Sequence, residues 1–194
     1  MNQETTILIH GFNRTRIDMS FLEQGLKSSG FETLSVNLPA TFGGFNDCLE
    51  AIDKQVRILL ERKSSFNCVA HSMGGLVARE YFSRSPYRGK IRSLVLIATP
   101  HSGSELADIA CRIPFYNKVF PLLKSAVSRG GTAHLPRMKA DRTGVIAGSK
   151  NDSLLGRLFL SDPSDGRVSV GSVQVEDADE FLVLPYGHHE IHHR

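Results

Sequence analysis

Cysteine is scarce in this sequence, charge is nearly balanced, and no long apolar run occurs. Each shortage removes a class of protein. The three cysteines, Cys48, Cys68 and Cys111, are too few and too scattered for a disulfide framework, and their spacing is not that of metal ligands. Reduced thiols in a cytoplasmic protein are the expectation. Lys and Arg exceed Asp and Glu by 23 to 20, a formal net charge of +3. That excess is too mild to imply a nucleic-acid partner. No stretch approaches the roughly 18 consecutive apolar residues of a membrane span, so stable membrane insertion is not expected. The opening Met1-Asn2-Gln3-Glu4-Thr5 runs directly into an apolar segment and carries no signal-peptide pattern, although a leader could have been removed. Repeats, low-complexity tracts and linkers are missing too. What remains is 194 residues, 41% hydrophobic and 22% charged. This is the composition of one globular domain, spanning 1–194, large enough to bury a core without staples.

Short apolar segments alternate with amphipathic ones. Thr6–Ile9, Thr33–Val36, Cys68–Ala70, Ser93–Ala98, Gly144–Ala147 and Phe181–Leu184 read as strands. Ser93–Ala98 is almost wholly apolar, as expected in the middle of a parallel sheet. Phe21, Leu22 and Leu26 recur at helical spacing before Gly30 stops the helix, and Leu49, Ile52, Val56, Leu59 and Leu60 mark a longer one. Leu76, Val77, Tyr81 and Phe82 mark a third. The alternation predicts an α/β fold, a doubly wound and mostly parallel sheet with helices on both faces. Residues 102–142 break the rhythm with Pro114, Pro121, Gly130, Gly131 and Pro136 between apolar residues. The segment is too long and too apolar for a plain loop. It reads as an inserted helical flap or lid beyond the carboxyl ends of the strands, where open α/β sheets bind ligands, or else as a helix packed on the sheet. If it is a flap, Ile113, Phe115, Val119, Phe120 and Leu122 are expected to supply an acyl-binding groove.

Chemistry is most legible at Val69-Ala70-His71-Ser72-Met73-Gly74-Gly75. A serine between small residues, at the turn from a strand into a helix, reads as a nucleophile elbow. The tight turn demands small residues two before and two after the serine; Gly74 meets the demand fully and Ala70 adds only a methyl. The serine stands at a helix N-terminus, where free N–H groups and the dipole favour a developing negative charge.

An activated serine needs a base and the base needs an orienting carboxylate, with the order serine, acid, histidine along the chain. Asp165, in Ser164-Asp165-Gly166-Arg167-Val168, and Asp152, after Val145–Ala147, both qualify as the acid. Asp165 is preferred because an Asp-Gly turn presents its carboxylate on a rigid bend. For the base, Gly187-His188-His189 follows the last strand; His188, beside the glycine, is preferred over His189, with His134 the other downstream competitor. The oxyanion donors are expected to be the backbone N–H groups of Met73 and of Phe12, in the loop after the first strand, where Gly11 permits close approach. His10 and His71 are expected to be structural.

With these pieces the chain resembles the α/β-hydrolase superfamily, and within it the small bacterial lipases and esterases. The resemblance rests on Ile9-His10-Gly11-Phe12, on the elbow, on Ala98-Thr99-Pro100-His101-Ser102-Gly103-Ser104 and on the Asp165 and His188 loops. It implies an α/β-hydrolase fold and a triad of Ser72, Asp165 and His188, acting without a cofactor on a small-molecule or lipid ester. The usual first hairpin is missing, so about six strands are expected. The sequence stops six residues after His188 without the closing helix of most relatives, so the histidine loop is expected to be less firmly held.

Other readings use the same residues. A thioesterase or acyltransferase differs only in what attacks the acyl-enzyme. A non-catalytic binding protein on the same fold is a further alternative. His189-Glu190-Ile191-His192-His193 formally fits the His-Glu-x-x-His zinc-protease pattern, but a terminal stub is a poor helix and offers no third ligand downstream. Adventitious metal binding suits that cluster better.

Overall fold

The computed structural model describes residues 4–126, 132, 135, 138 and 140–193. Gly130, Gly131, His134 and Pro136 lie outside them. Six strands, all parallel, form one sheet: β1 (Thr5–Ile9), β2 (Glu32–Val36), β3 (Phe66–His71), β4 (Ile91–Ile97), β5 (Arg142–Gly148) and β6 (Glu180–Leu184), in the order β2-β1-β3-β4-β5-β6. Every segment read as a strand is one. The reversal of chain direction across the sheet after β2 places the carboxyl ends of β1 and β3 side by side, with Ile9 paired to Ala70. Loops leaving those two ends therefore meet, and they carry Gly11 and Ser72.

The principal core lies on one face. Helix α2 (Phe45–Arg62) buries Cys48, Ile52, Val56 and Leu60, one residue per turn, in the core that also holds Ile7, Ile9, Cys68 and Ala70 of the sheet. Helix α3 (Met73–Arg84) adds Leu76, Val77 and Phe82, and the Phe82 ring meets Phe66 at 5.2 Å. Fully burying each such side chain contributes about 1.5–3 kcal/mol. The opposite face is thinner: Leu22 of α1 (Ser20–Ser28) packs near Ile97, Ala98 and Ile191. Three cysteines are free, and burial raises the Cys68 thiol to about 12. No helix among the described residues is long and apolar enough to cross a membrane.

The inserted segment is helical where it is described. Helix α4 (Glu105–Cys111), helix α5 (Pro114–Val119) and a 3₁₀ turn (Pro121–Ala126) stand over the carboxyl ends of the strands. A further short helix, α6 (Leu154–Phe159), follows β5, and α7 (Val170–Val173) leads towards β6.

Candidate active site

Ser72 is the N-cap of α3 and has φ +55° and ψ −130°, a conformation that non-glycine residues rarely adopt. The strain lifts the side chain out of the line of β3 and aims it across the sheet. Small neighbours make the turn possible: a Cβ on Gly74 would run into the backbone carbonyls of Ile9 and His10, and one on Gly11 would come within 2.8 Å of the Ser72 Cβ. The glycines thus let α3 start hard against β1 and bring the loop after β1 beside the serine.

His188 and Asp165 complete a connected chain with it. Ser72 Oγ lies 2.9 Å from His188 Nε2, and His188 Nδ1 lies 2.6 Å from Asp165 Oδ2. The other carboxylate oxygen, Oδ1, accepts from the backbone N–H groups of Arg167 at 2.9 Å and Val168 at 2.8 Å. Asp165 is 1% exposed, so the side chain is fixed by these three partners rather than by water. It can only accept, which places the proton on His188 Nδ1 and leaves Nε2 free to take one from the serine. The histidine loop is also held through its backbone: His188 N–H donates to the Asp165 carbonyl at 2.9 Å, and His71 Nε2–H donates to the His188 carbonyl at 3.0 Å. Beyond it Ile191 is buried and His192 Nε2 lies 3.0 Å from Asp18. The loop expected to be loosely held is braced on three sides, by contacts too distant in sequence to be read from it.

Asp152 and His189, the competing acid and base, take no part in that chain. Asp152 is exposed and stands 4.0 Å from Lys150. His189 lies at the mouth of the site, lowered to about 4 by burial of part of its ring and by His188 beside it. His10 is structural, as expected: Leu38 N–H donates to its Nε2 at 2.9 Å, so its Nδ1–H donates to the Gly11 carbonyl, fixing the loop that carries Phe12.

Ser72, Met73, Phe12 and His188 share a cavity of about 390 Å³ with walls that are mostly apolar, a size within the range of small-molecule sites. Phe12 and Met73 thus line the same cavity as the serine, and Met73, first residue of α3, has an N–H with no partner within the helix. The apolar wall differs from expectation. Of the five residues named for it, only Ile113 lines the cavity. Leu122 is buried in the core, Phe115 is 73% exposed, and Phe120 packs edge-on against Phe12 and stacks on Phe42. The wall is built by Leu106, Ile109 and Ala110 of α4, Tyr116 of α5, Leu123, and Leu155 and Phe159 of α6. Apolar character marked the right segment; which side of each short helix turns inward depends on how the helices dock.

A profile of the PGAP1-like alpha/beta domain family matches residues 38–159, from the end of β2 through α6. The chain belongs to that family. Triacylglycerol lipase 2 of Saccharomyces cerevisiae is 36% identical over 90 residues, 43% of this chain and 27% of the yeast protein. The chain therefore spans about a quarter of the length of that curated relative. Two solved structures share the fold: the mature form of Bacillus licheniformis lipase BlEst2 (TM-score 0.79, 18% identity, covering 98% of this chain and 86% of that one) and Legionella pneumophila phospholipase PlaB (TM-score 0.69, 18% identity, 97% and 53%). The six-stranded parallel sheet with its helices is the α/β-hydrolase fold of those two structures.

In this PGAP1-like domain the Thr99-to-Ser104 run ties other elements together, and its Pro100 and Ser104 also line the cavity. His101 Nδ1 accepts from Arg79 of α3 at 3.1 Å, and Ser104 Oγ donates to the Arg167 carbonyl at 3.0 Å, tying α3 and the acid loop to the end of β4. The terminal His-Glu-x-x-His does not form a helical turn with its two histidines together. His189 faces the cavity, Glu190 pairs with Lys150 at 3.0 Å, and His193 lies against Asp18 and Phe21.

Among the described residues four histidines have a lowered pKa in the fold, His189 at the cavity and three that are buried, and this sets a pH dependence of stability. Burial lowers His10 and lowers His71 well below the usual value, and burial together with Arg79 lowers His101 to about 3. Unfolding restores ordinary values near 6.5, so below that pH the unfolded chain binds protons that the folded chain excludes. The stabilisation is complete above about pH 6.5 and is lost as pH falls towards the folded values, at about 1.4 kcal/mol per pH unit for each histidine. Urea denaturation at pH 7.5 and 5.5 is expected to show the loss, with a shallower slope in His101→Gln; a flat profile between those pH values would contradict it.

Proposed function

We propose that this domain is a serine hydrolase that cleaves carboxylic esters through an acyl-enzyme on Ser72. The observation that carries the reading is the continuous Ser72–His188–Asp165 chain at the floor of an apolar cavity. Ser72 Oγ attacks the ester carbonyl as His188 Nε2 takes its proton. The imidazolium that forms is stabilised by Asp165, and the carbonyl oxygen, now negative, is held by the N–H groups of Phe12 and Met73. His188 returns the proton to the leaving alcohol. Water then enters by the same route in reverse and releases the acid. No step needs a cofactor.

The test is twofold. A fluorophosphonate is expected to label Ser72 stoichiometrically, which a non-catalytic binding protein would not allow. A nitrophenyl ester series is expected to give kcat/KM rising with acyl length, about fourfold per methylene buried at about 0.8 kcal/mol each, until the cavity is filled. Ala110→Trp, which places an indole in the α4 wall, should cut off that rise and leave the acetate ester little changed. An acyl-length profile unaltered by the indole would show that the acyl chain lies elsewhere. Rapid turnover of thioesters with negligible ester hydrolysis would move the reading to a thioesterase.

A further inference from the structure

Next to the proposed nucleophile, and outside the lining of the cavity, three potential ligands from distant parts of the chain converge. They are Asp18 in the 3₁₀ turn Arg16–Met19, His71 at the end of β3, and His192 in the segment after β6; their donor atoms all lie within 4.8 Å of one another. Both imidazoles are fully buried, and their centroids are 4.0 Å apart. In each ring one nitrogen has a partner and the other has none. His71 Nε2–H donates to the His188 carbonyl, and His192 Nε2 faces Asp18 Oδ2 at 3.0 Å. The Nδ1 atoms of both are buried without any hydrogen-bond partner. Buried ring nitrogens left without a partner are costly.

We propose that Asp18, His71 and His192 form a binding site for a borderline-soft divalent cation such as Zn²⁺. Two imidazole nitrogens and a carboxylate are the donor set that zinc takes, and they disfavour Mg²⁺ or Ca²⁺. At His71 the outer contact is that of a metal-binding imidazole, a ring N–H held by a carbonyl, so that its free Nδ1 is the basic nitrogen; at His192 the ion would take the place of the proton between Nε2 and Asp18 Oδ2, which lie 3.0 Å apart. Asp18 is anionic. Tetrahedral zinc sets its ligand atoms about 3.3 Å apart, so the widest gap must close by about 1.5 Å, within reach of side-chain rotation. The ion would staple the segment after the histidine loop to the strand end that precedes Ser72.

The experiment uses the whole protein, stripped with a chelator and titrated with Co²⁺ and Zn²⁺. One equivalent per chain is expected, with the strong visible absorption of four-coordinate Co²⁺, and a Tm raised by about 5–10 °C at a hundredfold excess of Zn²⁺ over Kd. His192→Gln and Asp18→Asn should abolish both effects. The double substitution His189→Gln with His193→Gln should preserve them, which separates this site from the exposed histidines of the terminal cluster. That double variant also decides the matter if the single variants fail to fold. Absence of stoichiometric uptake by the wild type, uptake that survives His192→Gln, or uptake lost only in the double variant overturns the proposal. In the first case a bridging water satisfies the two nitrogens.

Discussion

Ser72→Ala is expected to lower ester hydrolysis by on the order of 10³-fold or more while the protein stays folded. The hydroxyl is the one group placed to form the acyl-enzyme, 2.9 Å from an unprotonated imidazole nitrogen. Removing a member of a connected triad forfeits the whole of its contribution, leaving what the oxyanion donors and substrate binding provide. Alanine keeps the Cβ that any non-glycine residue must carry at φ +55°, so the elbow's strain is neither relieved nor increased. Tm should stay close to that of the wild type, and the fluorophosphonate adduct should vanish. Wild-type turnover in a cleanly purified variant would end the serine reading.

Asp165→Asn is expected to cost about 10⁴-fold in kcat, for a reason visible in its hydrogen bonds. Two backbone N–H groups, of Arg167 and Val168, point at Oδ1. The amide that replaces the carboxylate must turn its oxygen to them, because its NH₂ has nothing to accept there. The NH₂ then faces His188 Nδ1, which becomes an acceptor, and the ring's single proton moves to Nε2. A neutral histidine in that tautomer donates to Ser72 instead of taking its proton. Asp152→Asn, at an exposed side chain paired only loosely with Lys150, should change kcat by no more than a few-fold. Comparison of the two variants by steady-state kinetics at pH 8 decides between the acids, and the reverse order of effects would transfer the role to Asp152.

Much of this architecture is written in local patterns. Each strand is a short apolar run bounded by turn residues, and the elbow is a contiguous motif whose small residues answer to a steric requirement. The geometry of Asp165 is legible for the same reason, because both of its backbone donors lie within three residues of it. His188 is legible only through its position after the last strand. The cavity wall is another matter. Ile113 lines it, Phe115 faces water and Leu122 enters the core, yet the three are alike in hydrophobicity. Their helices are one or two turns long, too short for periodicity to fix a face. Helix α6 has no clear signal in the sequence: Leu154, Leu155, Leu158 and Phe159 surround Gly156, and its start is marked only by the Ser153 side chain accepting from Gly156 N–H. The grouping of Asp18, His71 and His192 was equally invisible, since it joins residues up to 174 positions apart.

The spacing of the proposed triad along the chain has a consequence for its assembly. Ser72 is separated from His188 by 116 residues, whereas Asp165 and His188 are 23 apart. On a ribosome adding about 5–20 residues per second, the elbow can form against β1 well before the acid and base emerge. Such a nascent half holds a strained serine with no base, and so a nucleophile that is present but unarmed. Arming waits for β5 and β6 to join the sheet edge, the non-local step that loop closure makes slow. Recovery of hydrolysis during refolding should therefore lag behind recovery of the α2–α3 core, reporting the arrival of the last strand.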